Sequence, residues 1–119
     1  MFNFEKLDVW QKAVAFADLV YLLTREFPEQ ERFGLTSQMR RAAVSVSANI
    51  AEGSSRTSRD DYARFVEIAT GSLFEVVSHA FIAHKQNLLK EADFKILYAA
   101  AEEQSRMLSG FRRFLTGAG

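Results

Sequence analysis

No cysteine occurs in this chain, which excludes a disulfide scaffold, a thiolate metal site and a cysteine nucleophile. A single proline and six glycines leave little to interrupt regular structure, so long elements are expected. Neither sign of charge is in excess. Fifteen basic and fifteen acidic residues cancel, so the totals do not indicate a strongly basic nucleic-acid binder or a polybasic membrane binder. The longest apolar run falls far short of the roughly 20 residues that would span a bilayer. The first ten residues, Met1 to Trp10, show no basic region followed by an apolar run, so they do not read as a signal peptide. No strand-like alternation bounded by turn residues appears anywhere. These absences leave a cytoplasmic, all-helical protein with no membrane partner as the expectation. What is present is a hydrophobic fraction of 48% against 25% charged over 119 residues, enough for one domain with a packed core.

Start and stop signals divide the chain into four helices. Asp8 is a good N-cap with Gln11 three places on, and the helix it opens runs to about Phe27, before Pro28. The polar connection "PEQERFGL" leads to Thr36 or Ser37 as the cap of a second helix, about residues 37–52. Gly53 reads as its left-handed C′ residue. Ser58 with Asp61 caps a long third helix, about 59–86, and a fourth runs from about 91 to 115. The tail, Thr116-Gly-Ala-Gly, is expected to fray. Short connections between four helices imply an antiparallel up-down-up-down bundle.

Helical-wheel positions at about 100° per residue separate core from surplus. On helix 2, Met39, Ala42, Ala43, Val46 and Ile50 form one stripe, while Val44, Ala48 and Ala51 lie on the other side. So many small side chains predict helix axes toward the short end of the usual 8–10 Å or so. Helix 1 offers two stripes: Trp10, Ala13, Val14, Ala17 and Tyr21 as core, then Val9, Phe16, Leu19, Leu23 and Phe27. On helix 3, Tyr62, Val66, Ala69, Leu73, Val76 and Ala80 face one way, with Phe74 and Phe81 about 100° around. A four-helix monomer needs only about three apolar positions in seven. The surplus residues Val9, Phe16, Leu19, Leu23, Phe27, Ala48, Ala51, Phe74 and Phe81 are therefore expected at a homo-oligomer interface. Exposure of such side chains would forgo about 1.5–3 kcal/mol each. Two different surplus surfaces suit head-to-tail contacts in a closed ring.

Catalytic and metal chemistry find little to work with. Di-metal bundles carry Glu-x-x-His on two helices, and no such motif occurs. Glu75 and His79 are the nearest approach, and His84 lies about 140° around the wheel from His79, so the two cannot share a ligand face. Ser45 and Ser47 lie in no Gly-x-Ser-x-Gly elbow. The glycines match neither a P-loop nor a dinucleotide fingerprint. Asp60 and Asp61 complement a helix dipole, and Glu102 and Glu103 read as a solvated face. No catalytic residue, metal or cofactor is expected.

Arginines cluster locally. Residues 32 to 59 hold Arg32, Arg40, Arg41, Arg56 and Arg59 against Glu52 alone, and Arg106, Arg112 and Arg113 follow near the C-terminus. Arginines beside Phe111 and Phe114 could contact nucleic acid. In a bundle, however, Arg40 and Arg41 go to one end while Arg56, Arg59, Arg112 and Arg113 go to the other, among Glu5, Asp8, Glu52, Asp60 and Asp61. The preferred reading is ion pairs and a solvated rim, with Arg41 and Glu52 finding partners on neighbouring helices. The alternative is a nucleic-acid-binding ring.

"FEKLDVWQKA" followed by "LTSQMRRAAVSVSANIAEGSSRTSRDDYARFVEIATGSLFEV" resembles the small bacterial four-helix-bundle proteins named for intervening sequences within 23S rRNA genes. The likeness covers helices 1 to 3, with "NIAEG…R" its most specific phrase, and reaches helix 4 only in its apolar pattern. At Ser47 relatives often carry proline, so a kink there is not expected in this chain. The resemblance implies a left-handed bundle that assembles as a ring, a pentamer, of its own copies. The family name reflects gene location and does not imply ribosome binding. A more distant similarity, to accessory proteins of diversity-generating retroelements, implies a barrel that binds nucleic acid and a reverse transcriptase. It is a likeness of fold.

Overall fold

A computed structural model describes residues 1–117, and four α-helices carry them: α1 (Asp8–Thr24), α2 (Leu35–Gly53), α3 (Arg59–Lys85) and α4 (Glu91–Thr116). Short 3₁₀ turns at Asn3–Lys6 and Glu29–Glu31 precede α1 and α2, and the described residues contain no strand. The expectation of a frayed tail falls partly on residues 118 and 119, outside the described residues.

Local chemistry sets each helix end. Leu7 is the N-cap of α1, so Asp8 stands one position inside, where its charge complements the dipole. Gln11 donates its Nε2 to the Glu5 carbonyl at 2.8 Å, tying α1 to the preceding turn and not to Asp8. The helix stops at Thr24, short of Phe27. There Thr24 Oγ1 donates back to the Val20 carbonyl at 2.7 Å and accepts from Arg40 Nε at 2.9 Å. Helix α2 begins at Leu35 with Gly34 as N-cap, so neither Thr36 nor Ser37 caps it. Ser47 sits within the continuous α2 and donates to the Val44 carbonyl at 3.1 Å. Ser58 does cap α3, accepting the Asp61 N–H at 3.0 Å. The left-handed C-cap belongs to α4, at Gly117 with φ 71°.

Gly53 has no positive φ. Its role is close approach: a Cβ built there would lie 2.7 Å from Tyr62 Cδ1 and 2.9 Å from Phe65 Cβ. That is how closely α2 and α3 meet.

Side-chain bonds tie each helix to the next in antiparallel register. Arg40 meets Thr24 at one end of the α1–α2 pair, and Asn3 Nδ2 donates to the Ser54 carbonyl at the other, 3.1 Å. The Ser45 and Ser72 hydroxyls join α2 to α3 at 3.0 Å. His84 with Glu91 (3.0 Å) and Arg112 with Glu67 (2.9 Å) brace α3 against α4. Helix α4 closes on α1 through Gln104, buried, whose Nε2 donates to the Val9 carbonyl at 3.1 Å. Lys12 and Glu103 pair at 3.0 Å alongside. The whole measures 43 × 25 × 20 Å.

The core is built from small residues. Nine of its buried apolar side chains are alanine and five are valine. By length and apolar composition alone, α3 could cross a bilayer. In the bundle, Ala63, Val66, Ala69, Leu73, Val76, Ala80 and Ala83 are instead the core side of that helix.

Helix α1 corrects the wheel reading. Val9, Phe16 and Phe27, assigned to an interface, are buried, together with Ala13, Ala17 and Val20. Leu19 and Leu23 are half-buried against the core. Val14 and Tyr21, assigned to the core, are exposed. The reason is that α2 and α4 flank α1 on two sides, so the buried arc is centred on the seam between the two stripes.

Candidate interaction surfaces

Between α3 and α4 runs a groove of about 360 Å³ with Leu73 and Ala101 in its lining and Phe74, Phe81 and Tyr98 along it. Phe74 is 62% and Phe81 50% exposed, on a helix whose opposite side is entirely core. These are the two sequence-stripe candidates that the fold leaves uncovered with large side chains. Helix α4 adds aromatics that the helix 3 pattern could not disclose. The Phe81 ring stands edge-on to Phe94 (5.0 Å between centroids) and to Tyr98 (6.2 Å). His84 lies against Phe94 at 4.9 Å. Phe94 and Tyr98 are one turn apart, a spacing that a search for i, i+4 aromatic pairs would have found. Glu102 supplies a carboxylate at the edge of the groove.

Across the bundle, α1 and α2 frame a second groove of about 650 Å³. Val44 and Ala48 on α2 and Tyr21 on α1 are exposed along it, and Ala51 is half-buried one turn beyond Ala48. Phe33, in the polar connection before α2, is 88% exposed at its margin. The lone aromatic in "PEQERFGL" was the available sign of it. Arg32, Arg40 and Arg41 line the same groove. Arg40 is held in place: its guanidinium lies 4.5 Å over the Tyr21 ring, and Nη2 donates to the Tyr21 carbonyl at 3.3 Å. Arg41 makes no ion pair among the described residues. The partner expected for it on a neighbouring helix is not there. Glu52 likewise pairs with Arg56, just past its own helix, at 3.9 Å.

The far-end arginines are largely engaged. Arg56 lies between Glu52 and Asp61, each at 3.9 Å, with its guanidinium 4.5 Å over the Phe65 ring. Arg112 bonds Glu67 at 2.9 Å. Arg59 stacks on Phe114 at 4.8 Å, and Arg113 donates to Ser109 Oγ at 2.8 Å. Arg40 and Arg41 do stand at the opposite end from these four, beside Thr24 and the start of α2.

Polar groups elsewhere are only partly paired. His79 Nε2 is 3.3 Å from Glu75 Oε2, and its Nδ1 is buried without a partner. Among the described residues, no three His, Asp or Glu side chains lie close enough to hold a metal ion. Ser45 Oγ is shared by Asn49 Nδ2 (2.9 Å) and Ser72 Oγ, with no histidine attached. Burial raises the Tyr62 phenol above its ordinary value of 10, and its hydroxyl has no partner.

Four helices around a small-residue core, with two uncovered apolar grooves, define an all-α four-helix protein. The model of the family described as 23S rRNA-intervening sequence protein matches residues 5–110, and the chain belongs to that family. The matched span takes in most of α4, beyond the reach of the quoted motifs. Among solved structures, the chain is similar to a protein of unknown function from the S23 ribosomal protein family of Bacteroides thetaiotaomicron. The TM-score is 0.79 at 23% identity, over 88% of this chain and 98% of that one, a likeness of fold. No curated protein matches.

Proposed function

We propose that the protein is a non-catalytic cytoplasmic assembly module whose copies join head to tail in a closed ring, five in number by its family resemblance. The observation that carries this reading is the exposure of large apolar side chains, Phe74 and Phe81 with Ile68 and Ile82, on the part of α3 outside its core stripe. A monomer that left such side chains in water would forgo about 1.5–3 kcal/mol for each and carry an aggregation-prone patch. The α1/α2 groove is the complementary face. It is apolar along Val44 and Ala48, lies across the bundle from α3/α4, and carries arginines where the other groove carries Glu102. Two unlike faces give a heterologous contact, which closes a ring where a self-complementary patch would give a two-fold dimer.

Sedimentation velocity tests the reading. Wild-type protein should sediment as a closed oligomer, and Phe81→Glu should give a monomer with unchanged helical circular dichroism. A wild-type chain that stays monomeric and soluble at micromolar concentration refutes self-association.

Carboxylate pairing of Arg56 and Arg112 favours a protein scaffold over a nucleic-acid ring. Arg41, Arg59 and Arg113, free of ion pairs among the described residues, are what the nucleic-acid alternative would use. Gel-shift titration at low salt decides, since phosphate contacts strengthen steeply as salt falls. Retardation of RNA or DNA at micromolar protein would favour the ring, and none would leave the scaffold.

A further inference from the structure

The α1/α2 groove holds three guanidinium groups and no carboxylate in its lining. That imbalance is unusual in a chain whose fifteen basic and fifteen acidic residues cancel. Arg32 is pulled outward to Glu29 at 3.3 Å, but Arg40 is fixed from three sides. Thr24 Oγ1 accepts from its Nε, the Tyr21 carbonyl accepts from Nη2, and the Tyr21 ring lies beneath. A guanidinium held this way has lost little of its remaining donor capacity and has already met the entropy cost of being ordered. Arg41 is exposed and unpaired among the described residues, and the nearest acid on α3 that shares a groove with it, Glu75, is bonded to His79 instead.

The backbone adds to the same field. Helix α2 is 19 residues long, and its N-cap, Gly34, offers no side-chain acceptor to the first-turn N–H groups. No acidic residue stands in that turn, whereas α3 and α4 each begin with two. Glu31 Oε1 lies 3.5 Å from where a Gly34 Cβ would stand, but Glu31 is not in the lining of the groove. On the groove side, the positive end of the dipole therefore meets arginines and no carboxylate. Thr36, in the same turn and in the lining of the groove, is more than nine-tenths buried, and its Oγ1 has no partner. A buried hydroxyl without a partner is costly unless something supplies one. Tyr21 and Phe33 add aromatic surface to the groove.

We infer that this end of the α1/α2 groove binds a small organic oxyanion: a phosphate or carboxylate carried on an aromatic or apolar body. Arg40 and Arg41 hold the anionic group with the first turn of α2, and Tyr21, Phe33 and Val44 cover the body. The site shares Val44 and the arginines with the face proposed for ring closure, so a ligand and a neighbouring subunit compete for it; it is open in the monomer and in Phe81→Glu.

The probes are phenyl phosphate, benzoate and inorganic phosphate, titrated into ¹⁵N-labelled full-length protein and into its Phe81→Glu variant, with calorimetry in parallel. Saturable shifts of the Leu35, Thr36 and Ser37 amides are expected, with dissociation constants in the millimolar range or below. Inorganic phosphate should bind more weakly than phenyl phosphate. Tighter binding of phenyl phosphate than benzoate identifies a phosphate source, and the reverse a carboxylate; both support the site. Arg41→Ala should weaken binding about tenfold without altering the helical signal, since Arg41 makes no ion pair in the fold. Arg40→Lys, which loses the fork geometry, should weaken it further. The inference is overturned if no probe shifts those amides saturably, or if Arg41→Ala and Arg40→Lys bind as wild type does. Binding to Phe81→Glu, in which no neighbouring subunit covers the groove, separates this result from the fate of the ring.

Discussion

Replacing Gly53 with alanine should destabilise the protein, against the ordinary rule for helices. In a helix interior, alanine is favoured over glycine by about 1 kcal/mol. Gly53 has a helical φ, so no backbone strain opposes the change. What opposes it is space. The new Cβ would lie 2.7 Å from Tyr62 Cδ1 and 2.9 Å from Phe65 Cβ, where carbon atoms rest at about 3.5–4.0 Å. Tyr62 cannot simply swing aside, because Phe111 stands edge-on to it at 5.3 Å. Phe65 Cβ is fixed to the α3 backbone. One helix must therefore move by nearly an ångström, and overpacking of this kind costs about 1–3 kcal/mol. Gly53 is the last residue of α2, so little of the helix-interior gain is realised, and the net loss is about 1–3 kcal/mol. The control is Gly71, on the exposed side of α3, where nothing lies within 4 Å of a built Cβ. Gly71→Ala should gain about 0.5–1 kcal/mol. Urea denaturation at one fixed protein concentration, so that any assembly contributes equally, should place the two variants on opposite sides of wild type. A Gly53→Ala protein as stable as wild type would refute the claim that α2 and α3 touch there.

Three further expectations use the same assay or a simple variant of it. Ser58→Ala removes the acceptor of the Asp61 N–H bond and should cost about 1 kcal/mol; no loss would show that α3 does not depend on this cap. Phe16→Ala should cost about 3–5 kcal/mol as a core truncation. Phe74→Ala, measured at dilutions where copies are dissociated, should stay within about 0.5 kcal/mol of wild type, and equal losses at both positions would overturn the corrected assignment of the stripes. Tyr62 makes stability fall at alkaline pH. Its folded pKa lies above the unfolded 10, so the stability it contributes is complete below pH 10 and is lost as pH rises through the folded value. Tyr62→Phe should flatten that alkaline decline, and an unchanged slope would show that the phenol is not buried as described.

How far the sequence disclosed this structure differs from helix to helix, for physical reasons. On α2 and α3 the stripes from Met39 to Ile50 and from Val66 to Ala80 lie in the core as placed, although both helices carry apolar residues on other sides too. Helix α1 is apolar nearly all round. Its buried arc depends on which two helices flank it, and spacing along one helix carries no such information. Hence Val9, Phe16 and Phe27 were assigned outward and Tyr21 inward. Helix ends were legible where a side chain caps, as at Ser58. They were not where tertiary bonds intervene, as at Thr24 under Arg40. Gly53 was recognised as special but for the wrong property, because a close approach and a positive φ both call for glycine. The arginines could be assigned to ends of the bundle. Their partners could not, since pairing of Arg112 with Glu67 depends on the register of α4 along α3.

The small-residue core also explains why so many aromatics lie outside it. Helices that meet through Ala42, Ala43, Gly53, Ala63 and Ala69 come too close to enclose large rings between them. Of eleven phenylalanines, Phe16 and Phe27 are the ones among the buried core residues, and both belong to the segment before Pro28. A bundle built only for stability would put leucine at the alanine positions, widen, and draw Phe74 and Phe81 inward or replace them. Phe74 and Phe81, seven residues apart on the same helix, leave half or more of their surface in water and so forgo part of the about 1.5–3 kcal/mol that full burial would give each. The same holds for Phe33, in a connection that needs no aromatic. Tight packing inside and large rings outside are two consequences of one choice of residue sizes. Contact with a second molecule is the physical role that such rings can still fill, which is why both grooves are read as surfaces for binding and the core as a rigid frame that presents them.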